Sequence, residues 1–580
     1  MFNTRIMLWI ALLALLYVNY GTWMRDYAHP AGAPAAAAQA AAPASRFAES
    51  IPQAAPPVAA APSSPASVAN GAAAPTAPQA TSVPTAPNAA PNATATAQRV
   101  AAGVLRVRTD VFDLRIGLRG GALDRADLLR YPLHKDQPNV PVRLLNRDSA
   151  DSLYVIQTGL TGPAGEIVPS HLVTWTSPQA SYALAPGATE LRVPLHWTDG
   201  HGLTVTKTFV FERGKYAIGI DYQVDNRSVA PRELASYAQI LRHWEIVKRS
   251  YFDVRTYSFM GPAVYDGDKY RDLKLDVNDP APFTRTITNG WLAALQHHFV
   301  SAIVPSAGEP FDYQLLVHGH QFLLRATGPM QTVPAGAAAS FGEKVFVGPK
   351  LQSQLAATGP KLQLAVDYGK LTVLAEPLFH MLSWVHGITG NWGWSIIIVT
   401  ALIKLIFYPL SQASGRSMAK MRNVAPRMKQ IQETYKNDRE KLGRAMMELY
   451  KKEKINPLAG CLPMIIQIPF FISFYWVLVE SVEMRQAPFM LWINDLSVRD
   501  PYFVLPLLMG AAMFAQFKLN PAPPDPTQAK VMQFMPLVMT ATMAWFPSGL
   551  VLYWLTNTLL SITQQWRINQ IVQRGSRPRD

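Results

Sequence analysis

Residues 392–410 (WGWSIIIVTALIKLIFYPL) form an apolar stretch that carries one cation, Lys404. A charge at the centre of a membrane-spanning helix costs about 2.5–3.5 kcal/mol on insertion scales. It is kept where water, a partner or a passing substrate meets it, or where its long stem lifts it to the headgroups. A basic segment follows at 411–456, with 12 Lys/Arg against 5 Asp/Glu. Further apolar stretches lie at 461–479, 501–517, 531–546 and 549–562, extended by polar residues to 565. Each approaches the ~20 residues that cross a bilayer. A chain with this pattern is expected to be a multi-domain membrane protein built on an α-helical membrane bundle.

Charge asymmetry orients it. Segment 411–456 carries a net +7, whereas 480–500 carries 2 Lys/Arg against 4 Asp/Glu. The first loop is therefore expected in the cytoplasm and the second outside. At the N-terminus, Arg5 precedes an apolar run at 6–18 that is short for a span. That run and the Ala-x-Ala sequences beyond it fit a cleaved signal peptide. Tyr17, Tyr20, Trp23 and Tyr27 extend it with residues that favour the membrane interface. We read residues 1–27 as an uncleaved anchor, which gives six spans and two cytoplasmic termini; the tail 571–580 is basic, as that topology requires. The net charge of +14 suits anionic partners such as lipid headgroups, RNA or acidic proteins. Nothing points to specific DNA. Cys461 is the single cysteine, so no intrachain disulfide forms.

Residues 28–98 are mostly Ala and Pro and lack the large apolar side chains of a core, so a disordered linker is expected. Residues 99–360 change character. Alternating runs at 104–107, 112–118, 191–197, 203–211, 216–224, 291–303 and 341–347, broken by Gly-rich turns, predict a large external β-sandwich. His297, His298, His318 and His320 lack metal-ligand spacing and read as ordinary strand residues. In 361–390, apolar positions at helical spacing flank Pro377. They fit an interfacial helix at the outer membrane boundary or a helix buried under the β domain.

Between the spans, polarity recurs on helix faces. Ser395, Thr400 and Lys404 lie on the first, Gln467, Ser473 and Tyr475 on the second, Gln533, Thr540 and Thr542 on the fourth. The last carries Thr556, Asn557, Thr558, Ser561 and Thr563. If these faces converge, they line a wet groove inside the bilayer. The same hydroxyls also serve as interhelical hydrogen bonds, and Lys404 lies close enough to the span's end to snorkel. The basic segment predicts two amphipathic helices in a cytoplasmic hairpin. Met418, Met421 and Met428 mark its apolar stripe, with Arg422 and Lys429 among its cations. A Met-rich face adapts to varied apolar peptides, or it simply joins the two arms. No phosphate loop, H-E-x-x-H or dinucleotide motif is present. Ser548 with His380 or His386 is the one nucleophile arrangement in reach, and a tight turn explains Pro547-Ser548-Gly549 more simply.

Several long motifs occur in one order: NWGWSIIIVT (391–400), INPLAGCLPMIIQIPFF (455–471), SVEMRQAPFMLWINDLS (481–497), DPYFVLPLLMG (500–510) and FMPLVMTATMAWFPSGLVLYW (534–554). Together with GWLAALQHHFV (290–300), they make the chain resemble the YidC/Oxa/Alb family of membrane insertases across essentially all of 361–570. The resemblance implies a five-helix insertase core at 391–570 with a hydrophilic groove open to cytoplasm and lipid. Within it Lys404, Thr400, Tyr553 and Trp554 match groove positions, joined by Gln467, Thr556 and Asn557 from the polar faces. It also implies a β-supersandwich similar to sugar mutarotases for the external domain, and no cofactor. Implied partners are nascent membrane proteins, the Sec translocon and its accessory subunits, ribosomes and the signal recognition pathway. Many relatives carry Arg where this chain has Lys404, so its cation acts as a point charge without the planar fork. The expected function is a membrane protein insertase and folding chaperone of the inner membrane, not an enzyme, acting alone or with the translocon. A solute transporter or channel on the same polar faces, and sugar binding by the β domain, are the alternatives.

Overall fold

The computed structural model describes residues 47, 49–53, 103–245, 258–435, 438–453, 462–519 and 526–575. The expected anchor (1–27), most of the linker, Cys461 and the last residues of the tail lie outside the described residues. Met1–Ser50 and Ile51–Asp580 are separate units. In the first, the Ser50 hydroxyl donates to the Phe47 carbonyl at 3.1 Å.

The second unit begins with the β domain. Its strands form one eleven-stranded and one eight-stranded sheet. Strand Leu203–Glu212 shows why they pair: residues at 203, 205, 207, 209 and 211 are buried while their neighbours face outward. It runs antiparallel to Ala217–Asn226, with Phe209 opposite Ile220. Two strands of the larger sheet, Tyr154–Thr161 and Arg232–His243, are buried on both faces over most of their length. Trp175, Phe209, Phe211, Tyr222 and Tyr237 fill the core. The run expected at 291–303 is two strands, Trp291–Leu295 and Phe299–Pro305, separated by the His297-His298 turn.

After a short helix, α1 (Gln352–Thr358), comes α2 (Thr372–Thr389). Its buried side, Ala375, Leu378, Phe379, Leu382 and Val385, packs on the apolar helices α3 and α6 defined next. Val373, Trp384 and Ile388 remain exposed, so it is not a helix enclosed beneath the β domain.

Helix α3 (Trp392–Ile406) starts at Asn391, whose side chain accepts from the backbone N–H of Gly393 and Trp394. Helix α4 (Tyr408–Thr434) follows with a bend of 63° at Phe407, where Pro409 enters the first turn. The expected span boundary at 410 therefore falls inside α4, which is also the first hairpin arm. Helix α5 (Arg439–Lys452), capped by Asp438, is the second arm. Then come α6 (Leu462–Glu480), α7 (Val504–Leu519), α8 (Pro526–Met543) and α9 (Ser548–Gly575). Among the described residues no single helix is long and apolar enough to cross a membrane, but α3 together with the first turns of α4, Tyr408–Gly415, suffices by length and composition. Helices α7 and α8 meet closely at Gly510, where an added Cβ would lie 2.0 Å from the Thr540 hydroxyl oxygen. Their remaining apolar surface, including Leu507, Phe514, Phe534, Leu537 and Val538, points outward.

Candidate functional site

The 3.6-residue period puts Thr400 and Lys404 one turn apart on α3 and Tyr553, Asn557 and Ser561 along one face of α9. These two faces meet. The Lys404 ammonium donates to the Ser561 hydroxyl at 2.8 Å, and Ser561 in turn donates to the Asn557 carbonyl at 2.7 Å. The amine, carried in the last turn of α3, thus sits among polar groups of α9. Thr400 is buried, and its hydroxyl hydrogen is committed to the Ile396 carbonyl at 2.6 Å. Only its oxygen lone pairs remain for a ligand.

Around Lys404 lies a groove of about 460 Å³, reaching α4 at Ser414, α6 at Gln467, α7 at Gln516 and α9 from Tyr553 to Ile568. A side recess of about 30 Å³ reaches Thr400, Ile403 and Phe470. Lys404, Ser411, Gln467, Tyr553 and Asn557 face both. One wall is aromatic: Phe474 stacks on Tyr553 at 4.4 Å between ring centres, and Phe471 meets Trp554 edge-on at 4.5 Å. These contacts fasten α6 to α9 and leave hydroxyl, amide and ammonium groups facing the space.

One end is closed. Ile396, Val399, Phe474, Val477, Leu550 and Val551 are fully buried together beyond Thr400. Over them folds the 482–500 segment. Phe489 covers Gly393, the Asn391 amide donates to the Phe489 carbonyl at 2.9 Å, and Asp500 accepts from the N–H of Leu505 and from the Trp492 indole. The opposite end runs past Ser414, Gln565 and Ile568 towards the basic helices.

Of the expected groove residues, Lys404, Thr400, Gln467, Tyr553, Trp554 and Asn557 line this space, whereas Thr556 does not. Thr556 is 100° around the helix from Asn557, and Thr558 takes its place. Ser411 and Ser414 were hidden from the sequence reading because α4 reads as a charged hairpin arm. Gln516 left a signal, as a lone amide in an apolar run.

In the hairpin, Val424, Met428 and Leu449 are buried together with Met421, Ile431, Met446 and Tyr450 against them. Met421 and Met428 therefore join the two arms instead of presenting an open face. Lys429 is exposed; the side chains of Met418 and Arg422 lie outside the described residues. Arg427 bridges to Glu453 at 2.6 Å, and Glu440 pairs with Arg444 one turn on at 2.5 Å.

The nucleophile arrangement fails on geometry. The Ser548 hydroxyl donates to the Asp495 carbonyl at 2.8 Å. His386 stacks on Trp392 at 4.0 Å and His380 lies against Glu376. Among the described residues no three His, Cys, Asp or Glu side chains converge as a metal site.

Comparison with known proteins gives the arrangement its context. Residues 384–575 match the family described as 60Kd inner membrane protein, and residues 104–381 match the YidC periplasmic domain. The membrane protein insertase YidC of Thioalkalivibrio sulfidiphilus is 48% identical over 82% of this chain and 86% of its own length.

The chain belongs to the YidC family of membrane protein insertases.

An active YidC insertase crystal structure aligns with 80% of the chain at 17% identity and a TM-score of 0.35. A galactose mutarotase-like protein from Lactobacillus casei aligns with 42% at 10% identity and a TM-score of 0.26. As a YidC-family insertase, the chain is an inner-membrane protein with a periplasmic β domain, and its substrates are membrane proteins. The family takes precedence over the transporter, channel and sugar-binding readings.

Proposed function

We propose that the groove around Lys404 is the path by which this insertase takes polar parts of a nascent span part-way into the bilayer. The observation that carries the reading is the seat of the amine, 2.8 Å from the Ser561 hydroxyl and inside the cavity. A snorkelling lysine would turn its ammonium out to the headgroups. Here it faces a space lined by Gln467, Asn557, Thr558 and Gln565, groups that hold water and hydrogen-bond peptide.

Three steps follow. The exposed cations of the hairpin, among them Arg427, Lys429 and Lys451, meet the ribosome-bound chain or anionic headgroups. Acidic or polar residues of the substrate enter the groove, where Lys404 attracts negative charge and the hydroxyls and amides replace water. The apolar part of the span then moves sideways into lipid, gaining about 0.8 kcal/mol for each methylene it buries. Because the groove replaces part of the hydrocarbon crossing, the barrier falls without a nucleotide or cofactor. In this reading the open end and both termini face the cytoplasm, and the translocon and signal recognition pathway are partners that deliver substrate. The two large, mainly antiparallel sheets support a supersandwich reading of the β domain.

Lys404→Ala is expected to lower insertion of a translocon-independent substrate at least tenfold, while Lys404→Arg keeps it near the parent level. Protease protection of a single-span substrate in insertase-depleted cells measures both. Parent-level insertion by a stably expressed Ala variant rejects the role of the cation.

A further inference from the structure

The outer end of α6 is held by the β domain through buried charge. Glu480, the last residue of α6, and Lys350, just past strand Ala338–Pro349, are 2% and 1% exposed, with ammonium and carboxylate 3.9 Å apart. The Ser258 hydroxyl donates to the same carboxylate. Around this pair the β domain grips the helix end itself. The His297 ring is 2.9 Å from the Val479 carbonyl, and the Lys350 N–H donates to the His298 carbonyl at 2.9 Å. The Tyr368 hydroxyl meets the Ser481 hydroxyl at 3.2 Å and accepts from the Gln352 amide at 2.6 Å. A second set of bonds ties down the next segment: Arg485 donates to the Pro132 carbonyl at 2.8 Å and Lys135 to the Asn494 carbonyl.

An α-helix ends with unpaired carbonyls and a partial negative charge. Here that end also carries a carboxylate, met by the Lys350 ammonium and the Ser258 hydroxyl, with Asp272 and Asp367 as further acidic groups close enough to act on the pair. Burial pulls the Lys350 ammonium below its usual pKa range, and the charges of Glu480, Asp367 and Asp272 push it back up. Such a pair, cut off from water, adds little net stability over an apolar pair. Removing one partner leaves a buried charge alone, so the pair fixes a relative position more than it adds stability. The first half of α6, from Gln467 to Phe471 at its midpoint, lines the groove.

We infer that Lys350 and Glu480 are positioning residues for insertion: they lock the periplasmic domain onto α6 and thereby set where the groove wall stands. The inference rests on the groove reading given above, and its test separates the two.

In a Cys461→Ser background, spin labels at Glu212 on the β domain and Ile472 on α6 read the position of the helix directly. Both sites are exposed and lie outside the groove. Lys350→Met is expected to broaden the inter-label distance distribution and to lower insertion of a single-span substrate with a short acidic outer segment about tenfold. Lys350→Arg restores both. If Lys350→Met does not accumulate, the double variant Lys350→Met/Glu480→Gln, which leaves neither member of the pair charged on its own, carries the same expectation. A parent-like distance distribution in the folded variant overturns the inference whatever the insertion assay gives. A broadened distribution with parent-level insertion upholds the lock and counts against the groove reading.

Discussion

At the residue scale, the function turns on how one ammonium is held. Lysine is a compact, strongly hydrated charge with three donors. In the groove one of them is spent on Ser561, which itself is pinned to the Asn557 carbonyl. The remaining donors face the cavity, where a substrate carboxylate or water is met by a charge already in place. Ser561 is therefore the residue that keeps Lys404 from swinging along its helix. A hydrogen bond to a charged group contributes about 1.5–3 kcal/mol. Ser561→Ala is expected to slow insertion several-fold, less than Lys404→Ala does, and Ser561→Thr to keep most of the rate. Initial rates of protease-protected product in proteoliposomes measure the order of the three. Lys404 was legible in the sequence because a cation inside an apolar run is conspicuous. Ser561 was one hydroxyl among many on its helix, and nothing short of the α3–α9 contact singles it out.

At the element scale, the β-sandwich carries its own buried charges. Lys207 is fully buried, donates to the Gly121 and Thr158 carbonyls at 2.7 and 3.0 Å, and lies over the Trp175, Phe209 and Tyr222 rings. Glu343, also buried, has no hydrogen-bond partner for either oxygen among the described residues. Desolvation pushes the Glu343 carboxyl up to about 8, against the pull of Lys207, and brings the Lys207 ammonium down to about 7, against the pull of Glu343. An acid whose folded pKa is raised binds more protons folded than unfolded, so stability falls as pH rises through the window from about 4.5 to 8. The lowered lysine works the other way, adding stability as pH rises from about 7 to 10.5. Glu343→Gln removes the falling limb. The variant is expected to melt close to the parent near pH 5 and a few degrees above it near pH 8; thermal unfolding of the whole protein in detergent, followed by β-sheet circular dichroism, gives both values.

Strands half-exposed to water announced themselves: the run at 203–211 is strand Leu203–Glu212, and that at 341–347 lies within Ala338–Pro349. Tyr154–Thr161 and Arg232–His243 did not, because burial on both faces erases the alternation that marks a strand. The bend at Phe407 was hidden for a related reason: hydropathy continues across it, and only Pro409 hints at a break.

At the scale of the whole molecule, the division of labour follows from which part supplies each wall of the groove. The lining comes from α3, α4, α6, α7 and α9, and no residue of the β domain contributes to it. The β domain instead covers the outer end of α6 with Lys350 and His297, joined by Tyr368 from the segment before α2, and holds the 482–500 segment through Pro132 and Lys135. Deleting 103–349 should therefore leave the path intact but uncover a helix end built to be buried. The truncated chain retains Lys350 at the new junction without the strand that fixes it, so Glu480 loses a held partner. Insertion by this chain is expected to persist within about tenfold of the full-length rate. Glu480→Gln in the truncated chain should recover part of the loss, because a neutral amide near the membrane boundary is cheaper to leave unpaired than a carboxylate. In the full-length chain the same substitution should do the opposite, since it strips Lys350 of its counter-charge. The opposite signs in the two backgrounds, read by one protease-protection assay at matched expression, separate a β domain that positions α6 from one that handles substrate. A truncated chain that is stable in the membrane and inserts nothing assigns the essential step to the sandwich.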